Sequence, residues 1–135
     1  MSARSKARKR ALDVLFASDV RGESATTALE TAISDGEGPT NDYTAVLVRG
    51  VEERRGHIDE VLGQYAEGWT LQRMPAVDRN VLRLGVWELL YAEDVPDSVA
   101  ISEAMALVTD LSTDESPQFV NGVLGAVQRN KASLV

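Results

Sequence analysis

Cysteine is absent from this chain, which excludes a disulfide framework and a thiolate zinc site and removes any need for an oxidising compartment. Long apolar runs are missing too. No hydrophobic stretch approaches the ~20 residues that span a bilayer, and the basic start leads into an amphipathic pattern carrying Asp13 and Asp19, unlike a signal-peptide core. A cytoplasmic protein, neither exported nor membrane-embedded, is expected. Histidine occurs once, as His57 among Arg54, Arg55 and Asp59, where a solvated side chain fits better than a general base or a metal ligand. Glycine-rich phosphate loops, metal-binding histidine pairs and nucleophile elbows are all lacking. The acidic pairs Glu52-Glu53 and Asp59-Glu60 are adjacent in sequence, so on a helix they diverge instead of converging on a substrate. The chain does not read as an enzyme: no catalytic residue, metal or cofactor is expected.

What is present is charge, unevenly placed. The 135 residues carry a formal charge of −7, yet Arg4, Lys6, Arg8, Lys9 and Arg10 stand together at one end. From position 11 onward, nine basic residues face twenty-one acidic ones. One end can therefore meet a polyanion while the remainder repels it and suits a basic partner protein.

Apolar residues recur at helical spacing nearly everywhere, and no β-branched run bounded by turns stands out, so the pattern predicts an all-α fold in a single domain over 1–135. Ala7, Ala11, Val14, Leu15 and Ser18 share one face of a first helix that should end near Arg21-Gly22. A short helix over Glu23 to Asp35 follows, then a surface loop over 35–42, "DGEGPTND", dense in turn formers. Tyr43, Leu47, Val51, Ile58, Leu62 and Tyr65 predict one long third helix, capped by Thr40, Asn41 or Asp42, with Gly50 and Gly56 inside it. Asp78 is placed to cap a central helix. Apolar residues cover most of that helix, leaving an expected exposed ridge at Arg79, Asn80, Arg83 and Trp87. Pro96 ends it, Ser98 is the expected cap of the next, and Ser116 followed by Pro117 the expected cap of the last. Gly122 and Gly125 there would allow close packing.

Two stretches carry chemistry. On the first helix Lys6, Lys9, Arg10 and Asp13 lie away from the Ala7/Ala11/Leu15 face, with Phe16 at its edge. Phosphate neutralisation beside a flat ring is what unstacked single-stranded RNA requires. Taken alone, such a run is more often a solvated face with Phe16 completing the core. Cations at a helix N-terminus nevertheless oppose the macrodipole by about 0.3 to 1 kcal/mol each, so an external anion explains them better than helix stability does. The second stretch is "DESPQFVNGVLG", residues 114 to 125, where a helix start can hold a phosphate and Asn121 can read a base edge. Taken alone, an ordinary helix whose acids serve the dipole and whose glycines allow close packing accounts for it better. The mixture of Arg79, Arg83 and Trp87 with Asp78 and Glu88 suits a protein interface, or a core Trp87 crossed by arginine stems.

"ARKRALDVLFASD", "GWTLQRMPAVDRNVLRLGVWELLYAEDVP", "VAISEA" and "SPQFVNGVLG", in this order and at these distances, resemble the NusB transcription antitermination factor family, over roughly residues 4–21 and 43–127. The resemblance implies two packed helical subdomains. It also implies that the chain binds the single-stranded boxA element of nascent ribosomal RNA, partners the small-subunit ribosomal protein NusE, and joins RNA polymerase elongation complexes with other Nus factors. Self-association as a homodimer is left open. By the same resemblance the RNA contacts are Arg4, Lys6, Arg8, Lys9, Arg10 and Phe16 on the first helix, and Glu115, Ser116, Gln118, Phe119 and Asn121 at the start of the last. The NusE-facing residues are Asp78, Arg79, Leu82 and Arg83. Ser102 stands where the family commonly has asparagine, and Glu115 where aspartate is frequent. Trp69 and Trp87, with "STDESP", look most like the actinobacterial branch. Two other roles remain to be weighed: a piece of an RNA methyltransferase, for which 135 residues leave no cofactor-binding sheet, and a helical scaffold that binds proteins alone.

Overall fold

A computed structural model describes residues 2–36 and 41–135. Residues 37–40, half of the loop expected over 35–42 and including Thr40, lie outside the described residues. Helices account for the secondary structure of the described residues, as the apolar spacing predicts. The chain divides into two units, Met1–Arg54 and Arg55–Val135.

The first unit is three mutually packed helices, α1 (Ala3–Arg21), α2 (Ala25–Ser34) and α3 (Asp42–Glu53). Ser2 caps α1, its Oγ accepting from the Ser5 N–H at 3.0 Å. Gly22 ends it at φ 69°, a left-handed conformation that glycine adopts without a Cβ penalty. Ser24 caps α2. Asn41 proves to be the cap of α3, its Oδ1 accepting from Tyr43 N–H at 2.9 Å. Ala11, Leu12 and Leu15 of α1, Leu29 of α2, and Leu47, Val48 and Val51 of α3 form the buried core.

The expected single helix over 43–65 is two helices. Arg54 leaves helical geometry at φ −105°, ψ 13°, and α4 begins afresh at Arg55. Gly50 and Gly56 flank the break, each costing a helix interior about 1 kcal/mol. Glu52 and Glu53 add charge of the wrong sign at a helix C-terminus.

The second unit holds α4 (Arg55–Tyr65), a 3₁₀ turn (Leu71–Arg73), α5 (Ala76–Tyr91), α6 (Asp97–Leu111), α7 (Ser116–Arg129) and α8 (Lys131–Leu134). Helix α5 is its centre, packed on by α4, α6, α7 and α8. Every residue from Asn80 to Leu90 is buried except Trp87, which is half-buried. At Gly85 an added Cβ would meet Leu124 Cδ1 of α7 at 2.9 Å, whereas at Gly125 it would meet only Arg129 of its own helix, so the close helix approach expected at Gly122 and Gly125 occurs instead at Gly85. A Cβ on Gly122 would meet nothing within 4 Å.

The helix starts in this unit also differ from expectation. Helix α5 starts two residues before Asp78, at Ala76, and Pro75 stands at its N-cap. Helix α6 starts at Asp97 after Pro96, leaving Ser98 exposed within the first turn. Glu115, not Ser116, occupies the N-cap of α7. Proline's fixed φ initiates the first two helices without a side-chain cap. Asp78 and Ser116 are thereby released to bond each other.

Candidate nucleic-acid interface

The basic end of α1 is held by the start of α3. Thr44 Oγ1 donates to the Ala7 carbonyl at 3.0 Å in a buried bond, and Asn41 Nδ2 donates to the Ala3 carbonyl. Tyr43 turns its ring to two arginines: the Arg4 guanidinium lies 4.0 Å and that of Arg8 5.6 Å from the ring centroid, distances at which a cation is attracted by the ring quadrupole. Arg8 is only 4% exposed. The resemblance implies an RNA contact there, alongside the other cations, but the pull of Tyr43, thirty-five residues away, turns the side chain inward. Lys6 is exposed, Lys9 and Arg10 are half-buried, and Lys9 Nζ pairs with Asp13 at 2.7 Å. Phe16, 38% exposed, stands clear of the core that could have claimed it.

The start of α7 is organised by a buried carboxylate. Asp78, 3% exposed, receives the Ser112 hydroxyl on Oδ1 and the Ser116 hydroxyl on Oδ2 at 2.8 Å. With its one proton committed to Asp78, Ser116 accepts from Thr113, whose Oγ1 is 2.7 Å away. Asp78 lies in the first turn of α5, where the positive end of the helix favours its charge. Two helix starts are thus tied by one acid.

A cleft of about 240 Å³ opens above this network, lined by Trp69, Pro75, Asp78, Thr113, Glu115, Ser116 and Phe119. Of the RNA-contact residues the resemblance implies, Glu115, Ser116 and Phe119 meet there, while Gln118 and Asn121 stand exposed on α7 outside the lining. Trp69, which sequence reasoning did not assign to any site, is half of the aromatic wall: its ring centroid is 6.1 Å from that of Phe119 at a 55° tilt.

The exposed ridge expected on α5 is absent, because the helix is packed on by four others. Arg83 is 5% and Leu82 0% exposed. Arg83 makes a two-pronged bond to Asp59 of α4, Nε to Oδ1 at 2.9 Å and Nη2 to Oδ2 at 3.1 Å, and its Nη1 donates to Asn80 Oδ1. Arg79 is half-buried and donates to the Leu71 and Met74 carbonyls, fastening the 3₁₀ turn. His57, expected in solvent, is half-buried, its Nδ1 hydrogen-bonded to the Tyr91 hydroxyl. Ser102 donates to the Val99 carbonyl of its own helix. Among the described residues no group of acids and histidines is arranged to hold a metal, and no helix is long and apolar enough to cross a membrane.

A model of the NusB family matches residues 5–129. The chain is 79% identical over 134 residues to the transcription antitermination protein NusB of a Nocardioides species, covering 99% of both chains. It is 59% identical to that of Saccharopolyspora erythraea, covering 94% of this chain and 87% of the relative. Among solved structures, NusB of T. maritima matches with a TM-score of 0.86 at 32% identity, covering 98% of this chain and 94% of that one. A structure of antitermination factors NusB and NusE in complex with double-stranded RNA matches with a TM-score of 0.83 at 28% identity, covering 96% and 98%.

Proposed function

Because the chain belongs to the NusB family of transcription antitermination proteins, we propose that it binds the single-stranded boxA element of nascent ribosomal RNA together with ribosomal protein NusE. The pair then joins RNA polymerase and other Nus factors in the cytoplasm and sustains ribosomal RNA transcription, without catalysis by this chain. The observation that carries this is the outward face of α1, where Lys6, Lys9 and Arg10 stand with the exposed ring of Phe16, a surface that neutralises phosphates and offers a base a flat partner. Arg4 and Arg8, drawn to Tyr43, position that helix. Glu115, Ser116, Gln118, Phe119 and Asn121 extend the RNA contacts onto α7.

The second unit carries six basic and twelve acidic residues, an excess that suits a basic ribosomal protein. The surface proposed for NusE is the start of α5. Asp78, Leu82 and Arg83 are buried there and shape it, and half-buried Arg79 fastens the 3₁₀ turn at its edge. A titration of boxA RNA with and without NusE tests the proposal. Cooperative tightening of at least tenfold is expected, whereas additive binding of the two partners refutes it.

A further inference from the structure

We infer that Trp69 and Phe119 form the seat of one unpaired nucleobase and that the acids beside them select guanine. This rests on the RNA-binding proposal above and adds to it a residue, Trp69, and the identity of a base. Of the chain's seven aromatic residues, Trp69 is the most exposed, at 49%, and no packing need explains an indole left in water. Nor is it loose. Gly68 at φ 80° turns the chain after α4, and the Trp69 N–H donates to the Ala66 carbonyl at 3.2 Å. Its contact with Phe119 at a 55° tilt leaves no room for a ring between the two, so a base lies upon them.

The cleft's size and charge restrict the occupant. Its 240 Å³ falls below the roughly 300–1,000 Å³ of pockets for drug-sized molecules, a volume suited to a single ring system. No lysine or arginine is among its lining residues, while Asp78 and Glu115 both are, so a phosphate is repelled and a neutral base is not. The hydroxyl protons of Ser112, Ser116 and Thr113 are already committed to the Asp78 network. The polar wall therefore presents acceptors. Uracil offers one N–H between two carbonyls and meets such a wall badly. Guanine offers adjacent N1–H and N2–H donors on its Watson–Crick edge, which match the two oxygens of the exposed Glu115 carboxylate, and single-stranded bases are read on that edge while stacked on aromatic rings.

The test uses the full chain and dye-labelled twelve-nucleotide RNAs, one all uridine and three carrying a single guanosine, adenosine or cytidine, followed by fluorescence anisotropy. The guanosine oligomer is expected to bind roughly tenfold more tightly than all-uridine, with adenosine and cytidine between. Trp69→Ala removes that advantage without changing the salt dependence, and Trp69→Phe keeps part of it, which separates a lost platform from a lost fold. Equal binding of the four oligomers, or a guanosine advantage that survives Trp69→Ala, overturns the base seat while leaving the RNA proposal standing. Failure of every oligomer to bind at low salt overturns both.

Discussion

The outward face of α1 and the cleft at the start of α7 each show an aromatic ring to solvent, Phe16 in one and Trp69 in the other, and in charge they are opposites. Lys6, Lys9 and Arg10 stand toward the start of the helix face that Phe16 ends, whereas Trp69 borders a cavity whose charged lining residues are acids. Phosphate charge supplies most of a nucleic acid's affinity and none of its sequence information, whereas base edges supply the information. On the function proposed above, the two regions divide these tasks. A surface rich in cations gains affinity for any strand, and an acidic cleft discriminates because it gives up that gain.

Asp78→Ala strikes the cleft hardest. It strips the charged acceptor from the hydroxyls of half-buried Ser112 and buried Ser116, at about 2–3 kcal/mol of stability in a denaturant titration. The guanosine preference should vanish with the start of α7 untied, while the slope of log affinity against log salt stays that of the parent protein, because α1 is untouched. A flattened slope would show that the two tasks are not divided.

The complementary change is Lys6→Ala, Lys9→Ala and Arg10→Ala together. Affinity for every oligomer should fall about 10- to 100-fold at moderate salt, and the slope should flatten by about 2, near 0.7 for each phosphate that is no longer neutralised. Arg4 and Arg8 are left in place because their guanidinium groups lie on Tyr43 and their loss would confuse folding with binding. The guanosine preference is expected to survive in ratio. If it disappeared with the cations, base selection would belong to α1.

The helical class and the α1 boundary at Gly22 were legible because both are local: a 3.6-residue period and a residue that tolerates positive φ. So was the surplus of charge at one end. What is not legible depends on residues far apart in the chain. Helical spacing puts Arg8 on the side of Ala11 and Leu15, away from Lys6 and Lys9, but the partner that makes a buried guanidinium tolerable there, Tyr43, lies far along the chain. Asp78 and Ser116 have the character of caps, being the right residues near the right helix starts, yet they lie thirty-eight positions apart and bond each other, while prolines start α5 and α6 unaided. Trp69 stands between helices with no periodic neighbours to assign it a face. A signal was available: a tryptophan directly after a glycine, outside any apolar stripe, is a costly residue to place where nothing buries it.

The smallest change is the most discriminating. Glu115→Gln keeps the length and shape of the side chain but replaces one acceptor oxygen with an N–H donor and removes the charge. The two consequences are opposed in sign. The lost charge should raise affinity for all-uridine RNA about two- to threefold at low salt, an effect that fades as added salt screens it. The lost acceptor pair should lower the guanosine advantage severalfold at every salt concentration, since a hydrogen bond inside the cleft is screened little. Measured across a salt series, the two oligomers therefore approach one another from opposite sides. A uniform gain for both would make Glu115 a mere source of repulsion at the mouth of the cleft, and the contrast between a region that attracts and a region that selects would shrink to a difference in charge.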